Sequence, residues 1–275
     1  MDQGTLLTLI AIAVSAGIAG GILAGLLGVG GGIVIVPALY FALSFTDMAP
    51  GLIMQVSVGT SLATIIFTSL SSASGHYRKG AVDFALLRLW APSILVGVLI
   101  GSAAGGLIDG RIMMGVFAVI AAIVALNMIF SRQSDGTAPR SFSKPVWAGF
   151  GVFAGTVSSM MGIGGGTVCV PLLNFLGYDI RKAVGTSAAI GLVIGLPATV
   201  VYVLTGLGVD GLPPFSLGYV NLVAAAVIIP LTTVFARVGV LIAHAIPQRV
   251  LRLFFGLFLA VTSVRMALDL LRSLG

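Results

Sequence analysis

The sequence contains no glutamate, and its eight acidic residues are all aspartate. Asp2, Asp47, Asp83, Asp109, Asp135, Asp179, Asp210 and Asp269 all fall in predicted loops or near predicted helix ends. Proton- and cation-coupled transporters usually bury a carboxylate within a span. None is evident here, which disfavours a cation cargo and an acidic proton relay and suits a neutral or anionic cargo. A His-Glu-x-x-His metal site is impossible without glutamate. No Gly-x-Ser-Gly motif offers an intramembrane serine nucleophile. No metal, no cofactor and no enzyme activity are expected. The single cysteine, Cys169, excludes an internal disulfide and reads as a small packing residue.

Charge is scarce as well. Charged residues make up 8% of the 275, where a soluble domain would carry about 25%. Apolar runs long enough to cross a bilayer recur along the whole chain. This predicts an all-α polytopic membrane protein whose first partner is the lipid bilayer. Full spans are expected near 5–28, 51–74, 84–107, 112–130, 145–162, 183–205, 217–240 and 249–272. Two shorter apolar pieces, near 33–46 and 166–177, are too short to cross upright and read as half-helices. The N-terminal "MDQGTLLTLIAIAVSAG" has no basic leader and reads as a first span, not a signal peptide. The net charge of +6 comes from basic residues scattered between spans, so no nucleic-acid partner is expected.

Two glycine clusters interrupt this pattern. "GLLGVGGGIVIVPAL" (Gly25–Leu39) and "MMGIGGGTVCVPLL" (Met160–Leu173) share the skeleton Gly-x-Gly-Gly-Gly-x-Val-x-Val-Pro. The likeness extends further. "VGTSLA" at Val58–Ala63 matches "VGTSAA" at Val184–Ala189, and Pro92, Gly101 and Arg111 match Pro230, Gly239 and Arg249. The order is kept, so the chain is internally duplicated, a mark of transporter folds. The expected organisation is a membrane repeat over 1–130, a polar linker "SRQSDGTAPRSFSK" over 131–144, and a second repeat over 145–275. If the linker is cytoplasmic and the short helices cross, eleven of the fourteen basic residues share its side, leaving Arg111, Arg265 and Arg272 opposite. Matching loops then lie on opposite sides. The repeats are inverted and both termini are extracytoplasmic, in a multi-pass protein of the cell (inner) membrane.

The glycine clusters carry the strongest chemical signal. Each glycine in a helix costs about 1 kcal/mol relative to alanine, so a cluster should unwind it. Unwound backbone within a membrane must be buried in protein or face a wet cavity. The next segment then starts with free N–H groups and a partial positive charge, which suits an anion. Gly28, Gly30, Gly31, Gly32 and Gly162, Gly164, Gly165, Gly166 are therefore candidate substrate-binding residues. The alternative is that these glycines only permit close helix packing. Pro37 and Pro171 would kink the following half-helices, which Thr167 opens in the second copy.

The segments Gly59, Thr60, Ser61 and Gly185, Thr186, Ser187 place paired hydroxyls that can donate to an oxyanion or simply bond a neighbouring turn. Gln55, Ser57 and Asn174 are weaker polar candidates. His76, beside Tyr77, Arg78 and Lys79, is either a proton-linked gate or an interfacial anchor, and His244 reads as structural. Arg78 and Lys79 either draw an anion to the pore mouth or serve topology alone.

Two copies of Gly-x-Gly-Gly-Gly-x-Val-x-Val-Pro, each followed by Val-Gly-Thr-Ser, resemble the TauE/SafE sulfite exporter family over essentially the whole chain. The resemblance implies export of sulfite or another small organosulfur anion, with the glycine clusters and Gly-Thr-Ser segments at the site. The expectation is alternating access between the repeats. A different small anion, a neutral solute and a non-transporting membrane scaffold or sensor are the alternatives. A homo-oligomer is compatible with the pattern and not specified by it.

Overall fold

The computed structural model describes residues 3–46, 48–130, 143–243 and 247–274. Asp2, Asp47, Asp135, His244 and all but the last two residues of the expected linker lie outside the described residues. Among the described residues there are ten helices. They are α1 (Gln3–Leu27), α2 (Gly32–Leu43), α3 (Pro50–Arg78), α4 (Phe84–Leu107), α5 (Gly110–Phe130), α6 (Lys144–Met161), α7 (Gly166–Phe175), α8 (Ile180–Gly206), α9 (Leu222–Ala243) and α10 (Gln248–Leu274). A two-stranded antiparallel hairpin, β1 (Ser216–Leu217) and β2 (Val220–Asn221), precedes α9. Five of the described helices, α3, α4, α5, α8 and α9, are long and apolar enough to cross a bilayer.

Local chemistry sets the helix starts. Asp83 accepts the N–H of Leu86 and caps α4, while Asp179 accepts those of Arg181 and Lys182 and caps α8. Pro50 and Pro145 open α3 and α6, where a missing N–H does no harm. The largest departures from the expected boundaries are at the end of α3 and the start of α9. α3 continues through Gly75, which packs on Val240, and ends at Arg78 just before Gly80, which turns the chain at φ 68°. The span expected at 217–240 starts at Leu222 instead, because Gly218 turns the chain at φ 54° and Asn221 caps α9 through Ala224 N–H.

α1 packs along α9, and α6 packs along α4. α3 packs on α8, and α5 on α10. Small residues allow these contacts: Gly21 and Gly25 of α1 lie on the backbone of Thr232 and Ala236, and Gly97 and Gly101 of α4 lie on Val152 and Thr156. α3 is the innermost of the five long apolar helices. The most apolar stretch of α3 is 78% buried, against 33–39% in the other four long apolar helices. Large apolar side chains such as Leu107, Phe130 and Val261 cover the outside, as expected of surface facing acyl chains.

Candidate functional site

Both glycine clusters break the helix. Gly28, Gly30 and Gly31 have φ of 66°, 72° and 79°, and Gly31 caps α2; Gly162 closes α6 at φ 68°. A side chain in this left-handed region would meet its own carbonyl, so glycine is the residue that lets the chain turn here. The two breaks run past each other in opposite directions. Gly28 lies against Gly166, Gly30 against Gly164, and Gly32 against Gly162. A Cβ added to Gly30 would sit 3.2 Å from Gly164 Cα, and one on Gly32 or Gly166 would strike the carbonyl oxygen of Gly162 or Gly28. Gly31 is packed on Gly20 O and Gly165 on Ile190, so the crossing is backbone on backbone and buried.

α2 and α7 begin at this crossing. A helix start leaves its first N–H groups without the usual intrahelical partner, and here several of them turn to the carbonyls of the break itself. Val34 and Ile35 N–H both donate to Gly31 O, and Cys169 N–H donates to Gly165 O. Pro37 and Pro171 lie inside α2 and α7 and leave the carbonyls of Ile33 and Thr167 without their usual donor.

The Gly-Thr-Ser segments each grip the other half of the chain. Thr60 Oγ1 accepts the N–H of Asn221 at 2.9 Å, and Thr186 Oγ1 accepts that of Asp83 at 2.9 Å. Asn221 and Asp83 are the caps of α9 and α4. Gly59 lies against the carbonyl of Tyr219 and Gly185 against that of Ala81, which brings each clamp within reach. Sequence reasoning singled out the threonines and missed their partners. The signal was present: Asp83 and Asn221 each immediately precede a long apolar run, the position that an N-cap favours.

The serines do not match. Ser61 Oγ donates to Gly162 O at 2.8 Å, tying α3 to the second break. Ser187 Oγ is buried and has no hydrogen-bond partner, and the same holds for Thr167 Oγ1 and Ser158 Oγ. All three belong to the second break: Thr167 opens α7, the Ser187 carbonyl lies beside Gly165, and the Ser158 carbonyl accepts Ile163 N–H. In the duplicated register their counterparts are Ile33, Ser61 and Ala24, so the three residues with unpartnered hydroxyls all belong to the second copy. Ser158 was not singled out from sequence, because one serine in an apolar helix carries no pattern.

The remaining candidates lie apart from the crossing. Gln55 Nε2 donates to Ile108 O at 2.9 Å, and Ser57 bonds its own helix at Ile53 O. The side chain of Asn174 lies outside the described residues. His76 is 3% exposed and hydrogen-bonds Gly25 O at 3.0 Å in the last turn of α1. Arg78 and Lys79 are exposed.

This arrangement has hydroxyl and N–H donors and no carboxylate at the crossing. It can hold an oxyanion by hydrogen bonds without a compensating charge. Among the described residues no three His, Cys or Asp side chains gather as metal ligands.

The family model described as sulfite exporter TauE/SafE matches residues 13–266. A protein of Haemophilus influenzae is 34% identical over 261 residues, covering 95% of this chain and 99% of its own length. One from Methanocaldococcus jannaschii is 25% identical, covering 95% of this chain and 97% of its own. A third, YunE of Bacillus subtilis, is 28% identical over 71% of this chain and 78% of its own. All three carry the name "Probable membrane transporter protein". No solved structure matches the chain. With the duplicated glycine breaks, the crossing they form and a match over nearly the whole length, the chain belongs to the TauE/SafE family of membrane transporters.

Proposed function

We propose that this protein exports a small sulfur-containing oxyanion, sulfite or an organosulfonate, by alternating access. The observation that carries this reading is the set of buried hydroxyls without partners at the second break, Ser158, Thr167 and Ser187. Leaving a buried polar group unsatisfied costs about 1–3 kcal/mol. An oxyanion that accepts hydrogen bonds from them removes that penalty. The breaks formed by Gly28, Gly30, Gly31, Gly32, Gly162, Gly164, Gly165 and Gly166 supply further backbone donors as they part, apart from the N–H groups of Gly28 and Gly162, which stay bonded to Ala24 O and Ser159 O. Thr60, Ser61 and Thr186, with Gly59 and Gly185 beneath them, hold the two halves in register around the site. Pro37 and Pro171 shape the half-helices, and His76 gates the end of α1.

In this reading the repeats 1–130 and 145–275 are inverted, with eight full spans, two short ones and a cytoplasmic linker at 131–144. Both termini lie outside the inner membrane. The exchange of partners, α1 with α9 and α6 with α4, supports the two-fold relation. The crossed glycines correspond to a closed stage, which opens as the halves rock. A membrane potential negative inside favours exit of an anion by about 2.3 kcal/mol per charge per 100 mV.

A thermal-shift screen of the purified protein with sulfite, sulfoacetate, taurine and sulfate tests the cargo. Ligand at a hundred times its Kd stabilises by about 2.7 kcal/mol. Sulfite or sulfoacetate is expected to raise the melting temperature. A shift with an unrelated anion or a neutral solute alone reassigns the cargo. The close packing of the breaks favours a non-transporting scaffold as the second reading, which predicts no shift with any of the four.

A further inference from the structure

Ser71, Ser74 and Arg78 recur three and four residues apart on α3 and so share one face. That face meets Arg237 and Leu241 of α9 across a cavity of about 260 Å³, which Lys79 also lines. The walls are fixed at their base. Ser71 Oγ donates to Thr233 O at 2.7 Å, and Gly75 lets Val240 pack against α3.

Three cations line this cavity, and among the described residues no aspartate does. The ion pair seen among the described residues joins Arg272 to Asp269, away from it. The C-terminus of α3 contributes about half a negative charge. Three full positive charges outweigh it, so the cavity selects an anion.

Its depth and surroundings narrow the choice. Arg237 lies six residues before Ala243, the last residue of α9, which places it about 9 Å in from the helix end. Below it, Phe67 and Leu70 of α3 and Val234 of α9 are exposed at 46%, 58% and 60%. A charged cavity that opens onto an exposed apolar track fits a headgroup with acyl chains attached. A free anion has no use for the track. We propose that this cavity binds the phosphodiester headgroup of an anionic phospholipid, with its chains along α3 and α9. In the topology proposed above it faces the cytoplasmic leaflet, where basic pockets between spans hold such headgroups.

Native mass spectrometry of the full chain tests this, after release from bilayers of phosphatidylglycerol and phosphatidylcholine. The wild type is expected to retain phosphatidylglycerol selectively. Replacing Arg78, Lys79 and Arg237 together by Gln should weaken that retention about 100-fold, and Arg237→Gln alone about fivefold. Arg237→Lys, which keeps the charge, should retain the lipid and guards against a variant that fails to fold. Equal retention by wild type and the Gln variants overturns the proposal. Inorganic phosphate that binds the wild type but not the triple variant in pure phosphatidylcholine also overturns it, by making the site one for soluble oxyanions.

Discussion

Thr60 on α3 and Asn221 at the start of α9 are 161 positions apart, and the threonine hydroxyl accepts the asparagine N–H at 2.9 Å. Thr186 on α8 does the same for Asp83 at the start of α4. Each Val-Gly-Thr-Ser segment thus holds the cap of a helix from the other half. Both threonines are fully buried, so removing the hydroxyl strands a backbone N–H. Thr60→Val and Thr186→Val are each expected to lose about 1–3 kcal/mol. Thr→Ser at either position keeps the acceptor and most of the stability. Thermal melts of the detergent-purified variants check this, and equal loss in the Ser and Val variants would show that packing, not the hydrogen bond, matters.

The glycine crossing makes a position-specific prediction. Gly32→Ala and Gly166→Ala place a methyl group on a backbone carbonyl that cannot move without separating the two breaks. Both should abolish the folded protein or lower its melting temperature sharply. Gly149, inside α6, has nothing within 4 Å of an added Cβ. Gly149→Ala should stabilise by up to about 1 kcal/mol through helix propensity. Folded yields by size-exclusion chromatography compare the three, and a tolerated Gly32→Ala would remove the crossing from the account.

Two phenols between helices contribute to the alkaline limit. Burial, and after it the Asp83 carboxylate, push Tyr178 above its ordinary 10.0, and burial pushes Tyr219 up as well. A raised folded pKa favours the neutral phenol in the native state. The linked stability is intact below the unfolded value of 10.0 and is lost as pH rises past it. Melting temperature should therefore fall above about pH 10. The double variant Tyr178→Phe/Tyr219→Phe should flatten that fall, and an unchanged slope would place the alkaline limit elsewhere.

Much of this architecture is legible in the sequence because a bilayer constrains helices so strongly. The span expected at 84–107 is α4 itself, and the glycine clusters mark the breaks between α1 and α2 and between α6 and α7. α9 was placed five residues early because Leu217 and Val220 read as part of an apolar run. Their pairing in a hairpin depends on the turn at Gly218. The site was legible only as a set of residue types. Nothing in the spacing tells that Gly28 meets Gly166, or that Ser61 finds the Gly162 carbonyl while its counterpart Ser187 finds none. Those are contacts between segments more than a hundred residues apart, and they depend on how the two halves dock.

That asymmetry between the serines offers the sharpest test. Ser187 and Thr167 hold buried hydroxyls without a hydrogen-bond partner. Removing them should leave stability unchanged or raise it, since an unsatisfied group is lost. If they hold the cargo, the same change should cripple transport. The deciding measurement is sulfite efflux from proteoliposomes carrying wild type or Thr167→Val/Ser187→Ala. The account predicts saturable efflux with wild type and at least a tenfold loss of rate in the variant, with the melting temperature retained. Wild-type efflux no faster than from empty liposomes, or a variant that transports as well as wild type, would contradict it.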